Sequence, residues 1–595
     1  MKCFLLFACI AIYNFANAQA PKRELRSAWI ATVSNIDWPS TTTLTAAAQQ
    51  AELITILDAH KASGLNAVYL QVRGQADATY PSTTVPVANI FTGSQNAVLS
   101  YDPLQFAITE CRKRGLEFHA WFNPYRAISN FAQINTFSPN HIARTRPDLL
   151  LDQGILRILD PGKFEVIDSV IKVVMDVVRR YDVDGVHFDD YFYPYPPTAP
   201  TVAFNDDATF AAFPRGFTVK NDWRRANVDS LIKRCNDSVH TAKPWVKFGV
   251  SPFGIWRNQG SDPTGSATNG LQGYSDTYAN SKLWIAQNWV DYLTPQLYWS
   301  IGFTAANFAV LLPWWNNNAG SRHIYSGMAA YKVNNNTDAN WSNPNEIPSQ
   351  IRLNRTYSKV FGSTYYNTKT LNQNPLGVRD SLRNNYYNRA AIVPAMPWID
   401  NVAPAAPTNL NGTLNANNVA LNWVAPTATT VELQKARQYV VYRFNSTTTN
   451  LTDSSAIRTV TPVDTLQFND LNLPTGNFYY VVTTLDRLYN ESPTSNVLNI
   501  SNMVTAVNNF AQNIALFKAV TLSNNQPLFL YHIVKKGAVN IIISSINGKQ
   551  LFTQNLGQQN IGAYTFAMPN TLKASGVYIA TLKINGVSKS IKFIK

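Results

Sequence analysis

Asp189 and Asp190 stand side by side in DGVHFDDYFYP, residues 184–194, at the end of a short apolar run and ahead of a segment of tyrosine, phenylalanine and proline. Two carboxylates held close cannot both ionise freely, so one keeps its proton toward neutral pH while the other stays charged. Beside aromatic rings that stack on sugars, such a pair suits cleavage of a glycosidic bond. One carboxylic acid protonates the leaving oxygen; the other acts as nucleophile, as base, or as the group that steadies an internal acetamido nucleophile. Adjacent residues of a regular strand point to opposite faces, so both reach one site only where the strand has already turned into its loop. The prolines and rings after Tyr191 favour that turn. The competing structural reading is a pair that caps a neighbouring loop or binds an arginine.

Further chemistry-bearing side chains fall at or just beyond runs with strand character. They are Asp37 after the first run, Asp77 after the second, Asn123 and Arg126 after the third, and Ser251, Trp256 and Arg257 after the fifth. Gln296, Tyr298 and Trp299 belong to the sixth, and Tyr331 and Lys332 to the seventh. Together they describe an acidic, polar and aromatic rim. His119 and His187 also lie near strand ends, but no H-x-H or H-E-x-x-H spacing accompanies them, so neither a metal site nor a cofactor is expected. An orienting role in the core is the expectation for His187. Arg73 and Arg257 suit a buried carboxylate partner or a substrate contact equally, and Trp256 and Trp299 either plug the barrel or stack on sugar.

These residues need a scaffold. From 25 to about 395, β-branched and aromatic runs alternate with helical patterns. The runs are 25–33, 65–73, 116–123, 184–190, 246–253, 290–299, 323–331 and 360–366; helices are expected over 45–64, 164–182 and 221–242. In the second helix Val166, Ile167, Val170, Ile171, Val174, Val177 and Val178 recur at helical spacing and mark a buried face. Eight strand–helix units predict an α/β fold, a closed (β/α)₈ TIM-like barrel, in which function gathers at the C-terminal ends of the strands. No G-x-G-x-x-G follows the first strand, which argues against a doubly wound nucleotide-binding sheet.

After Pro397, Pro404 and Pro407 helical periodicity stops, and two small all-β sandwich domains are expected. The division is 1–18 signal peptide, 19–400 barrel, 401–502 first sandwich, 503–518 linker and 519–595 second sandwich, the last with an Asn547-Gly548 turn between alternating strands. MKCFLLFACIAIYNFANAQA carries Lys2, an apolar stretch and Ala16-Asn17-Ala18, which predicts export to the cell surface or beyond, with the periplasm as alternative. No other stretch approaches the ~20 apolar residues of a membrane span. Cys3 and Cys9 leave with the signal, so Cys111 and Cys235 are expected as buried free thiols, with a single disulfide between them as the alternative. The net charge of +14 comes without any run of five basic residues, and no nucleic-acid partner is expected.

ELRSAWIATVSNIDWPS, LNAVYLQVRGQADATYPS, FHAWFNPYR, LDPG, DGVHFDDYFYPYP, GVSPFGIWRN and VDYLTPQLYWSIG occur in this order. Over about 24–395 the chain thereby resembles the glycosyl-hydrolase-like 10 family. The resemblance implies a TIM-barrel glycosidase acting on bacterial cell-wall glycan, the polymer of alternating N-acetylglucosamine and N-acetylmuramic acid. It carries substrate contacts onto Arg26, Trp29, Asp37, Trp38, Arg73, Gln75, Asn123 and Arg126, then onto Trp256, Arg257, Gln296, Tyr298 and Trp299, with Asp189 and Asp190 catalytic. Asp77, His187 and Tyr191 complete the candidates. An N-acetylated substrate makes a neighbouring-group mechanism attractive; double displacement with an acid such as Asp77 is the alternative. Trp423, Tyr439 and Tyr442 give the first sandwich a resemblance to fibronectin type III domains. The G-x-Y-I…K-x-I-K ending resembles the C-terminal sorting domain of type IX secretion substrates, which implies secretion machinery as a partner. A non-catalytic glycan-binding protein using the same aromatic cleft is the reading from another class, and a scaffold on an inactive barrel is a third.

Overall fold

The computed structural model describes residues 20–196, 205–502, 513–522, 526–569, 572 and 574–595. The signal segment 1–18 and most of the linker lie outside them.

Eight parallel strands close into a barrel whose order follows the chain. We label them β1 (Leu25–Ile30), β2 (Ala67–Arg73), β3 (Glu117–Phe122), β4 (Gly185–Phe188), β5 (Lys247–Val250), β6 (Tyr292–Leu293), β7 (His323–Met328) and β8 (Val360–Tyr365). Closure is made by β1 against β8, with Leu25 opposite Gly362 and Ala28 opposite Tyr365. Each strand falls within a run read from the sequence, but β6 keeps only two residues of 290–299, because Pro295 cannot donate to a ladder.

Helices wrap the barrel. Helix α1 (Ala46–Ala62) starts where the Thr45 side chain accepts from Ala48 N, and α2 (Pro103–Lys113) where Asp102 accepts from Gln105 N with Pro103 in the first turn. Helix α3 (Phe164–Arg180) buries Val166, Ile167, Val170, Val173, Val174, Val177 and Val178 against the sheet. Ile171, expected in that stripe, is only half-buried, and Val173 takes its place. Each such side chain contributes about 1.5–3 kcal/mol of burial. Between β3 and α3 the chain inserts a three-stranded antiparallel sheet (Arg126–Ile128, Leu150–Gln153 and Leu156–Leu159), which the sequence reading did not anticipate.

Residues 408–502 form two antiparallel sheets, of three and four strands, and up to Leu473 and over Phe478–Ile500 they belong to one compact unit with the barrel. Gln438 Nε2 donates to Gly115 O at 2.9 Å and Arg437 donates to Asp184 Oδ1 at 2.9 Å. Gly115 and Asp184 precede β3 and β4, so the sandwich closes the N-terminal end of the barrel. One apolar cluster joins Leu25, Tyr69, Tyr292 and Tyr325 of the barrel to Val440, Tyr442, Val481 and Tyr489 of the sandwich.

The second unit, taken by itself, has sheets of three and four antiparallel strands around Phe529, Ile541, Ile543, Ala580 and Leu582. Its first strand is Ile514–Thr521, which covers part of the stretch read as linker. Gly548, in the expected turn, takes φ 81°. Cys111 and Cys235 are buried and unpaired. Among the described residues no helix is long and apolar enough to cross a membrane.

Candidate active site

Interior positions alternate along each strand. Trp29 on β1, Gln71 on β2 and Trp121 on β3 point into the barrel near its C-terminal mouth, and there they line a cavity of about 530 Å³. On β4 the same alternation runs from His187 to Asp189. The strand ends at Phe188, so the chain is already turning, with Phe192 N donating to Asp190 O at 2.9 Å, and Asp190 swings to the same side. Both carboxylates line the cavity although they are sequence neighbours.

Their surroundings differ. Asp189 Oδ2 accepts from Trp121 Nε1 at 3.0 Å and Asn123 Nδ2 at 2.5 Å, while among the described residues Oδ1 takes the longer contact from Tyr191 N at 3.3 Å. Burial raises its pKa to about 6, and the Arg126 guanidinium together with these donors limits the rise. Asp190 accepts from the Tyr195 hydroxyl. Burial and then the charge of Asp189 push it further, to about 7. The two carboxyls therefore titrate apart: Asp190 keeps its proton to higher pH, and Asp189 is the one that its donors and Arg126 ionise first.

The cavity wall includes Trp29, Arg126, Tyr191, Gln296, Tyr298 and Trp299 from the expected set, along with Ser251, Tyr331 and Lys332. Arg126 lies over the Tyr191 ring at 4.2 Å, and Gln296 Nε2 donates to Ser251 O at 3.0 Å. Asn123 and His187 stand behind this wall: the first grips Asp189, and the second meets Trp29 Nε1 at 3.3 Å.

Other expected contacts lie away from the cavity. Arg26 is three positions from inward-facing Trp29, hence on the opposite face of β1, where it pairs with Glu24 at 2.8 Å and covers the Tyr387 ring. A register shift between Gln71 and Arg73 turns Arg73 out of the alternation and buries it behind the wall. Asp37 accepts from Ala31 N and Lys369 N, both at 2.7 Å, and Trp38 donates to Gln49 O at 2.8 Å. These two brace the loop whose Val33, Ser34 and Ile36 line the cavity. Gln75 accepts from Ser129 N at 2.8 Å, and Asp77 accepts from Gln75 N at 3.0 Å and Gln95 Nε2 at 3.3 Å. Trp256 stacks on Trp314 at 5.7 Å, and Arg257 pairs with Asp262 at 2.6 Å, in the loop beyond β5.

Sequence reasoning missed Gln71, Trp121, Ser129, Tyr195, Phe253 and Tyr366. For Gln71 and Trp121 the signal existed: each shares the inward parity of its strand. Among the described residues no group of three or more His, Cys, Asp or Glu is arranged to hold a metal ion.

Residues 24–343 match the glycosyl hydrolase-like 10 family. The chain belongs to that family. Among similar family relatives is glycosyl hydrolase YngK of Bacillus subtilis, 43% identical over 490 residues, which span 82% of this chain and 95% of the relative. Glycosyl hydrolase DigH of Escherichia coli K12 is 36% identical over 380 residues, 60% of this chain and 86% of the relative. Among solved structures, the glycoside hydrolase domain of PgaB (BpsB) from Bordetella bronchiseptica aligns with a TM-score of 0.42 at 14% identity, over 61% of this chain and 98% of that one.

Proposed function

We propose that this member of the family is an exported glycoside hydrolase that cleaves N-acetylated bacterial cell-wall glycan, with Asp190 as general acid and base and Asp189 as the partner of the substrate's 2-acetamido group. One observation carries the reading: two buried carboxylates share a cavity, and Trp121, Asn123 and the nearby Arg126 leave Asp189 the more acidic of the two. Asp189 Oδ1 has acceptor capacity left for the acetamido N–H. The acetamido oxygen then attacks the anomeric carbon as the Asp190 proton passes to the leaving oxygen. Water, deprotonated by Asp190, opens the resulting ring and restores the acetamido group, so the product keeps its anomeric configuration. Tyr298 and Trp299 offer stacking surface to the sugar.

The signal segment and the C-terminal unit fit delivery to the cell surface or the medium through secretion machinery, and the first sandwich fits a fibronectin type III-like module. Mass spectrometry of products from intact peptidoglycan, from peptide-free glycan strands and from the same strands after N-deacetylation tests the substrate. Saccharide fragments from the N-acetylated polymers alone support the reading. Binding to these glycans without fragments moves the protein to the glycan-binding class, and equal cleavage of the deacetylated strands removes the acetamido step.

A further inference from the structure

A continuous chain of buried polar groups runs down the barrel axis beneath the cavity. Trp29 Nε1 lies 3.3 Å from His187 Nε2, and His187 Nδ1 lies 3.1 Å from the Tyr292 hydroxyl. The same hydroxyl lies 2.7 Å from His119 Nδ1, and His119 Nε2 lies 2.5 Å from Glu117 Oε1. Lys247 Nζ holds the other Glu117 oxygen at 2.7 Å. All of these side chains are buried.

With both imidazoles neutral, the direction of every proton follows from one fact of chemistry: an indole N–H only donates. His187 Nε2 therefore accepts from Trp29, which puts the ring proton of a neutral imidazole on Nδ1. Burial keeps His187 neutral by holding its pKa well below the usual histidine value. Nδ1–H donates to the Tyr292 oxygen, so the Tyr292 hydroxyl donates to His119 Nδ1. His119 then carries its proton on Nε2 and donates to Glu117. Burial alone would raise the Glu117 carboxyl, but Lys247 and His119 hold it down at about 2, so it is an acceptor throughout the working range. Along the chain from Trp29 to Glu117 each donor thus faces an acceptor. The strands make room for this arrangement: a Cβ at Gly185 would lie 2.3 Å from His119 Nδ1, and one at Gly249 would lie 2.1 Å from the Tyr292 ring.

The foot of the chain is not supplied by the barrel alone. Tyr489 of the sandwich, 6% exposed, places its ring 4.8 Å from Lys247 Nζ and its hydroxyl against the Glu117 carboxylate. At the head, Ser251 Oγ lies 3.0 Å from His187 Nε2, and both Ser251 and Trp29 line the cavity that holds the Asp pair.

We propose that Glu117, His119, Tyr292 and His187 form a positioning relay that locks Trp29 and Ser251 into the cavity floor, and that the sandwich is a working part of the barrel because Tyr489 anchors the relay's charged end. The relay touches no substrate; it fixes His187 Nε2 as a permanent acceptor, so the floor beneath the sugar has one geometry. Its kinetic consequence rests on the hydrolase reading above, whereas its proton pattern does not.

Two measurements on the full chain decide it. A neutron structure of the deuterated wild type shows the protons directly: a deuteron is expected on His187 Nδ1 and none on Nε2, with the Tyr292 deuteron facing His119. A deuteron on His187 Nε2 overturns the relay, whatever the enzyme does. Tyr292→Phe and Tyr489→Phe keep the rings and remove one link each. Per folded molecule, Tyr292→Phe is expected to lower kcat roughly ten- to a hundred-fold with KM within about threefold, as for a small misplacement of reacting groups. Tyr489→Phe shifts kcat in the same direction by less. Unchanged kcat in both variants overturns the positioning role. A wild type that cleaves no glycan defeats the hydrolase reading instead, and the neutron map alone then decides the relay.

Discussion

Replacing Asp190 with asparagine preserves the shape of the side chain and removes the proton that the proposed mechanism uses. The Asp190 side chain is 1% exposed and its carboxyl sits at about 7, while that of Asp189 sits at about 6. The proposed mechanism needs Asp190 protonated and Asp189 ionised. Turnover therefore rises as pH climbs through about 6, falls as it climbs through about 7, and peaks between. General acid catalysis contributes roughly 10²–10⁴-fold, so Asp190→Asn is expected to lose about that factor in kcat, about 3–5 kcal/mol of transition-state stabilisation, together with the alkaline limb. The loss shrinks on an aryl glycoside whose leaving group departs without a proton. Stability moves the other way. The folded Asp190 pKa is raised above the ~3.9 of an unfolded aspartate, so its contribution to stability is fully present below about 4 and is lost as pH rises through the folded value of about 7. A shift of about three units corresponds to at most ~4 kcal/mol of lost stability at pH 8. Asp190→Asn escapes that loss, and at pH 8 it is expected to melt at or above wild type while being nearly inactive. The assays are glycan turnover against pH and thermal melting at pH 5 and pH 8. Turnover within about threefold of wild type, with the alkaline limb intact, would refute the assignment of the proton to Asp190. A variant less stable than wild type at pH 8 would refute the view that burial strains this carboxylate.

Asn123→Ala removes the shortest donor to Asp189; the Asp189 pKa rises, the acid limb moves to higher pH, and kcat/KM at pH 6 falls about tenfold in a pH–rate titration. Trp299→Ala deletes sugar-stacking surface and is expected to raise KM about 3–10-fold with kcat nearly unchanged. Arg26→Ala leaves turnover per folded molecule unchanged, because Arg26 faces away from the cavity. It costs about 3 kcal/mol in urea unfolding, because Glu24 loses one of its two buried arginine partners.

The barrel was legible in the sequence because its signal is long and redundant: eight apolar runs separated by helical stripes leave few closed arrangements. The Asp pair was legible because two adjacent carboxylates at the end of an apolar run have few structural uses. Parity was the weak point. Arg73 has the residue type and position of a site residue, but an irregularity after Gln71 moves it off the interior face, and no feature of LQVRGQ announces that shift. Arg26 shows the converse, since its three-residue offset from Trp29 already places it outside. Tyr195 was hidden for another reason: it reaches Asp190 from an irregular loop, where spacing carries no periodicity. The insertion at 126–159 escaped notice because its strands are only three or four residues long.

The most direct test of the central claim is cleavage in water enriched with ¹⁸O, followed by mass spectrometry and NMR of the first products from peptide-free cell-wall glycan. The account predicts one ¹⁸O atom at the anomeric carbon of each new reducing end, formed with retained configuration and abolished by Asp190→Asn. New chain ends without ¹⁸O, or with inverted configuration, would contradict it.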